Sequence, residues 1–234
     1  MEWREEGLLL SVRPHGANAA LIEPFSAEKG RYAGVVRGGA SRRLAPVLQP
    51  GAQLDLSWRA RLSEHLGQFQ VELIRSRAGE VLGDRTGLAG LSAICALLGF
   101  CLPERAAYPA LYARSVALLD GLGAEQWAHA YLNWERGLLD QMGYGLDLSR
   151  CAVTGQTDAL KYVSPKTGRA VSGSGAGDWA DRLLPLAPSL VGGSEDLAGG
   201  FRVTGHFLHS HLAASLGDKP LPAARDRLVR LLAD

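Results

Sequence analysis

Cysteine is scarce in this 234-residue chain: Cys95, Cys101 and Cys151 are the full set. An odd number this small excludes a disulfide framework and suits a reducing compartment. Lysine is also rare, with only 4 against 21 arginines, and aromatic residues make up 7%. No excess of one charge exists. The formal net charge is +1, so any polyanion-binding surface has to be a local concentration. Long apolar runs are missing too. The longest uncharged stretch, 86–103, is broken by Gly87, Gly90, Gly99 and Pro103, which fits a buried helix better than a membrane span. The opening Met1-Glu2-Trp3-Arg4-Glu5-Glu6 is acidic and has no signal-peptide core. No repeat of 20–50 residues is visible. What remains is a folded, cytoplasmic protein: hydrophobic residues make up 47% and charged residues 21%, enough to bury a core.

Pattern divides the chain. Short β-type runs at 8–12, 19–23, 31–37, 53–62 and 69–74 are separated by turn residues such as Pro14-His15-Gly16 and Lys29-Gly30. Five strands within about 70 residues predict a small antiparallel barrel. Residues 88–102 are almost wholly apolar and read as a buried helix. Trp127, Tyr131, Trp134 and Leu138 then fall on one helical stripe. That stripe serves either helix packing or a groove for a partner peptide. Residues 150–194 are loop-rich, and two helices follow at 197–216 and 223–232.

The basic residues of the barrel carry the chemistry. Between 29 and 43 stand Lys29, Arg31, Arg37, Arg42 and Arg43 with no acid among them. On one regular strand Arg31 and Arg37 share a face. Gly38 and Gly39 let backbone amides approach a phosphate. Arg59 and Arg61, and Arg75 and Arg77, form further pairs of period two. Together they are expected to form one cationic surface for a nucleic-acid backbone, with Phe25, Tyr32, Trp58 and Phe69 as candidate stacking platforms. The plain alternative is a solvated strand face.

Other motifs carry less. On an α-helix, His206 and His209 lie together and His211 opposite, so the three do not converge on a metal. Gly173-Ser174-Gly175-Ala176-Gly177 is not a dinucleotide fingerprint, and Cys151 has no catalytic partner in any motif. No enzyme is expected.

These pieces resemble the RecO family of bacterial recombination mediators. The likeness rests on Trp3 with Glu6-Gly7-Leu8-Leu9-Leu10, and on Val35-Val36-Arg37-Gly38-Gly39-Ala40-Ser41. It continues through 134–144 (Trp-Glu-Arg-Gly-Leu-Leu-Asp-Gln-Met-Gly-Tyr), Leu148 and Cys151, and ends on Gly217-Asp218-Lys219-Pro220-Leu221. The resemblance implies an α+β chain. An N-terminal OB-fold β-barrel (1–80) would lead into a central helical bundle (81–150). A small loop-rich lobe (151–193) and C-terminal helices packing on the bundle (194–234) would follow. It implies binding of single- and double-stranded DNA, strand annealing, and help in loading the recombinase RecA. Implied partners are the acidic tail of the single-stranded-DNA-binding protein, and RecR. An OB-fold scaffold or an RNA binder is the alternative. For the tail, the bundle offers Tyr112, Arg114, Trp127, Tyr131 and Arg136. Many relatives carry a zinc site of the form C-x2-C…C-x2-C. Here Cys151 is the first position, Thr154 stands at the second, and no cysteine follows. No zinc and no other cofactor is therefore expected.

Overall fold

Alternation along 52–59 places Leu54, Leu56 and Trp58 on one side of a strand, and all three are fully buried. The computed structural model describes residues 1–62 and 65–233. Its N-terminal strands are β1 (Glu2–His15), β2 (Ala19–Ser26), β3 (Gly30–Arg31), β4 (Gly34–Val36), β5 (Ala52–Arg59) and β6 (Gly67–Ser76). Their order is β1-β5-β6-β4-β2, and β1 also pairs with β2, so five strands close into an OB-like barrel. The β4–β6 pairing is parallel and the others are antiparallel. Leu9, Ile22, Val36, Leu48, Leu54, Leu56, Trp58 and Phe69 fill the interior. Each such side chain contributes roughly 2 kcal/mol by leaving water. Gly67 is required where it stands, because a Cβ there would enter the Trp58 indole.

The single strand expected over 31–37 is two pieces. β3 pairs with Phe25 and Ser26, whereas β4 pairs with Ala20–Ile22 on one side and with β6 on the other. Tyr32 and Ala33 leave the ladder between them, so Arg31 and Arg37 do not share a continuous strand face.

The chain forms two compact units. The first runs Met1–Ala124 with Pro222–Leu228, and the second Glu125–Leu221 with the chain from Val229 onward. The helical segment read as 81–150 is thus shared between them. In the first unit a short α1 (Arg77–Glu80) is followed by α2 (Arg85–Cys101) and α3 (Pro109–Asp120). Asp84 caps α2 by accepting from Thr86 N at 2.9 Å. The apolar run packs α2 against β1, with the Cys95 thiol 3.7 Å from Leu9 O. Burial pushes that thiol up to about 12, so it is an inert core residue.

In the second unit α4 (Trp127–Gln141) buries Trp127, Tyr131, Trp134 and Leu138. The three rings stack in sequence at 5.5 and 5.8 Å, and Tyr131 meets Phe201 at 5.8 Å. The loop-rich stretch holds β7 (Leu160–Val163), β8 (Ala170–Ser172), a one-turn α5 (Gly173–Ala176) and β9 (Leu184–Pro185). They form a three-stranded sheet ordered β8-β7-β9. α6 (Leu197–Phe207) packs on α4, with Thr204 Oγ1 donating to the buried Glu135 carboxylate at 2.6 Å. α6 runs on into a π-helical turn, Leu208–Ala213, and α7 (Ala223–Ala233) ends the chain.

That π-turn corrects the histidine geometry. With five residues per hydrogen-bonded step, His206 and His211 come to one side, and both contact Pro165 O, at 3.1 and 2.7 Å. Among the described residues no cluster of His, Cys, Asp or Glu is placed to hold a metal ion. No described helix is long and apolar enough to cross a membrane.

Candidate nucleic-acid interface

The barrel's arginines separate into two sets by their partners. Arg4 pairs with Asp55, and Arg13 lies 3.9 Å from Glu23. Arg31 pairs with Glu23 at 3.3 Å and donates to Leu102 O at 2.9 Å, with only 16% of its side chain exposed. Arg75 bridges Glu80 and Asp120, each at 2.7 Å, and buried Arg77 holds Asp120 at 2.7 Å. Each of these five guanidinium groups has a carboxylate within ion-pair distance. Arg37, Arg42, Arg43, Arg59 and Arg61 are exposed, and among the described residues none has a carboxylate within ion-pair distance.

Three of the unpaired five converge. Arg37 at the end of β4, Arg43 on the following loop and Arg59 at the end of β5 line a cleft of about 690 Å³ across the barrel face. Gly38, Ser41, Ser57, Gln68 and Gln70 line it as well, and Glu2 is the one acidic lining residue. A second cleft of about 690 Å³ shares Arg59 and Gln68 and adds Arg61, His65 and the Met1 end of the chain. The two clefts adjoin at Arg59 and Gln68, and arginines line them from Arg37 to Arg61. Gln68 and Gln70 were not singled out from sequence, although their period of two along β6 marks an outward face.

The other expected site residues lie elsewhere. Arg42 is exposed on the same loop but lines neither cleft. Lys29 sits on the turn before Gly30, which has φ +72° and no room for a Cβ against Ala106; Lys29 lines neither cleft. Arg31, Arg75 and Arg77 are structural, because their fixed carboxylate partners leave no net charge for a ligand.

The aromatic platforms also need correction. Phe25 is fully buried, and Trp58 and Phe69 are 1% and 3% exposed. Trp3 stacks on Trp58 at 5.9 Å, Tyr32 meets both edge-on, and Arg105 covers Tyr32 at 4.8 Å. The rings partner one another beneath the groove, so their faces are not open to a base.

Of the expected partner-binding residues, Tyr112 and Arg114 belong to the first unit, and Trp127, Tyr131 and Arg136 to the second. Tyr112 accepts from Gln53 Nε2 at 2.6 Å and is half-buried. Arg114 is exposed. Trp127 and Tyr131 are core, so the packing role of the stripe holds for them. Arg136 lines a 500 Å³ cleft with Asn133, Leu146, Leu148, Leu190 and Val191. Its Nε is buried with no acceptor among the described residues, and burial lowers its pKa.

A closed five-stranded barrel defines the chain as an OB-fold protein, with arginines that lack carboxylate partners among the described residues on one face. Comparison with known proteins narrows this. Residues 1–77 match the family described as recombination protein O N terminal, and 82–220 match recombination protein O C terminal. The chain belongs to the RecO family. It is 64% identical over 235 residues to the DNA repair protein RecO of Jannaschia sp. (strain CCS1), covering 99% of this chain and 96% of that one. The protein of the same name from Roseobacter denitrificans is 63% identical over 234 residues, covering 98% and 97%.

Proposed function

We propose that this chain acts in DNA repair as a recombination mediator without catalysing a covalent step. Its barrel groove holds the backbone of single- and double-stranded DNA. With two strands held, it anneals complementary sequences and assists loading of the recombinase RecA on strands coated by single-stranded-DNA-binding protein, with RecR as partner. It works in the cytoplasm, at the nucleoid. The observation that carries this reading is the contrast in pairing: Arg37, Arg43 and Arg59 line one cleft and, among the described residues, none of them has a carboxylate within ion-pair distance, while neighbouring arginines are engaged.

Binding in such a groove is driven by counterion release, so affinity falls steeply with salt. Annealing follows from the same physics, since neutralised phosphates reduce the repulsion between two strands. Because the rings beneath the groove are covered, the contact is to backbone only. Base–aromatic stacking is worth about 1–3 kcal/mol per base, and its absence predicts that oligo(dT), oligo(dA) and an oligonucleotide of abasic sites bind within about threefold of one another. Fluorescence anisotropy at one salt concentration measures this, and a preference of tenfold or more would count against backbone-only binding.

The acidic tail of the single-stranded-DNA-binding protein is assigned to the Arg136 cleft, where Leu146, Leu148 and Leu190 give an apolar lining around the half-buried Arg136 guanidinium, with Asp147 the one acidic lining residue. Arg136→Glu is expected to abolish binding of the tail peptide while groove binding to DNA is retained. Calorimetry with the isolated peptide reads the first and anisotropy the second; unchanged peptide affinity in the folded variant would remove the assignment.

The test of the whole reading is a salt-dependent titration of single- and double-stranded DNA and of RNA, followed by annealing with and without the single-strand binder. Steep salt dependence with DNA and accelerated annealing are expected. Preference for RNA would favour an RNA binder, and binding that ignores salt would favour a protein scaffold.

A further inference from the structure

Three positions in the second unit, Thr154, Ser172 and Gly175, surround the sulfur of Cys151. Cys151 Sγ accepts from Thr154 N at 3.4 Å, Ser172 N at 3.2 Å and Ser172 Oγ at 3.3 Å. A Cβ added to Gly175 would lie 2.9 Å from the same sulfur and 3.0 Å from Ser172 Oγ. Positions 151, 154, 172 and 175 are therefore spaced x2, x17 and x2. That is the spacing of a four-cysteine zinc site.

The two turns are built alike. In the first, the amide of residue 154 donates to the side-chain sulfur of residue 151. In the second, the amide of Gly175 donates to the side-chain oxygen of Ser172 at 3.1 Å. Each turn directs an i+3 amide at the side chain of residue i, and Ser172 Oγ occupies the place of a second sulfur. Tetrahedral zinc needs four sulfur, nitrogen or carboxylate ligands. Here a thiol, two hydroxyls and a glycine are present, so the residues do not fit the metal.

We infer that this lobe is a zinc-knuckle frame closed without metal, in which hydrogen bonds from Thr154 and Ser172 onto Cys151 take over the role of the ion. The frame itself is intact, so cysteines at 154, 172 and 175 rebuild a metal site. The hydroxyl network continues outward from Ser172 Oγ to Ser174 Oγ at 3.2 Å, and from Thr154 Oγ1 to Gln156 Oε1 at 3.1 Å. Val171 and Ala176 pack against the sulfur, with Leu160, Tyr162 and Leu183 around them. Cys151 is 1% exposed. Burial pushes its thiol up, but the Ser172 and Thr154 donors outweigh this and leave it at about 6, consistent with a sulfur acting as acceptor.

The test compares the full-length wild type with the Thr154→Cys/Ser172→Cys/Gly175→Cys variant, both loaded with cobalt(II) and dialysed. The expected result is one cobalt per variant chain, with the visible absorption of tetrahedral thiolate coordination, and none in the wild type. A folded variant that takes up no cobalt, or a wild type that retains stoichiometric zinc or cobalt, overturns the inference. Thermal unfolding of the wild type and of Ser172→Ala keeps it testable if the triple variant does not fold. A strong chelator should leave the wild-type melting temperature unchanged, and Ser172→Ala should lower it. A chelator-sensitive wild type, or an unchanged Ser172→Ala protein, overturns the inference equally.

Discussion

Replacing Arg37, Arg43 and Arg59 together with alanine is expected to weaken DNA binding about a hundredfold near physiological salt. Each phosphate contact releases about 0.7–0.9 of a counterion, which at about 0.15 M salt makes one guanidinium worth roughly four- to fivefold in affinity. Three contacts multiply to about a hundredfold, and the slope of log affinity against log salt flattens by about 2 to 3. The loss should be the same for every sequence, because Trp58 and Phe69 beneath the groove are buried and offer no stacking face. Arg4→Ala and Arg31→Ala are the controls. Both side chains are charged and lie on the same barrel, but Asp55 and Glu23 already neutralise them. They should leave the slope unchanged, with Arg31→Ala lowering stability through its lost bonds to Glu23 and Leu102 O. Anisotropy titrations at four salt concentrations distinguish the cases, and equal losses from groove and control variants would refute the pairing argument.

Asp120→Ala is expected to destabilise the first unit by about 3 kcal/mol, because it strands the buried Arg77 guanidinium. Arg77 is 2% exposed. Its Nε donates to Asp120 at 2.7 Å, and its Nη1 reaches Gly51 O and Gln53 Oε1, both at 3.2 Å. The group thereby ties α1 to β5 and to the end of α3. Removing the carboxylate leaves a desolvated charge with two neutral acceptors only. Arg75→Ala touches the same Asp120 from the surface, where 38% of the arginine side chain is exposed, and should cost less than about 1 kcal/mol. For a chain of this size the Asp120→Ala loss corresponds to a fall in Tm of roughly 6–12 °C. Urea unfolding of both variants reads the difference, and equal effects would show that Arg77 is not held by this ion pair.

The barrel was legible because its signals are local. Turn residues at Gly16 and Gly30 and the alternation of Leu54, Leu56 and Trp58 fix strand ends and faces. That alternation also marks Trp58 as core, which argues against its use as a platform. The role of Arg31 is not legible in the sequence, because its bond to Leu102 O spans 71 residues, which no period along one strand can reveal. The groove set was half legible. Arg37, Arg43 and Arg59 come from three separate places, and only barrel closure brings them together. His206 and His211 defied α-helical spacing because the backbone widens into a π-turn between them. The β7–β9 sheet has strands of two to four residues, too short for alternation to register. The positions of Ser172 and Gly175 carried no signal, because a knuckle is ordinarily recognised by the cysteines they lack.

Arginine-selective modification with phenylglyoxal, read by mass spectrometry with and without bound DNA, bears most directly on the cationic track. Arg37, Arg43 and Arg59 should react in the free protein and become protected when DNA is added. Arg13, whose side chain is 64% exposed on the barrel, and Arg150, exposed in the second unit, should react equally in both states. Protection absent from the three groove residues, or spread over the barrel without regard to the track, would mean that the polyanion is held somewhere else.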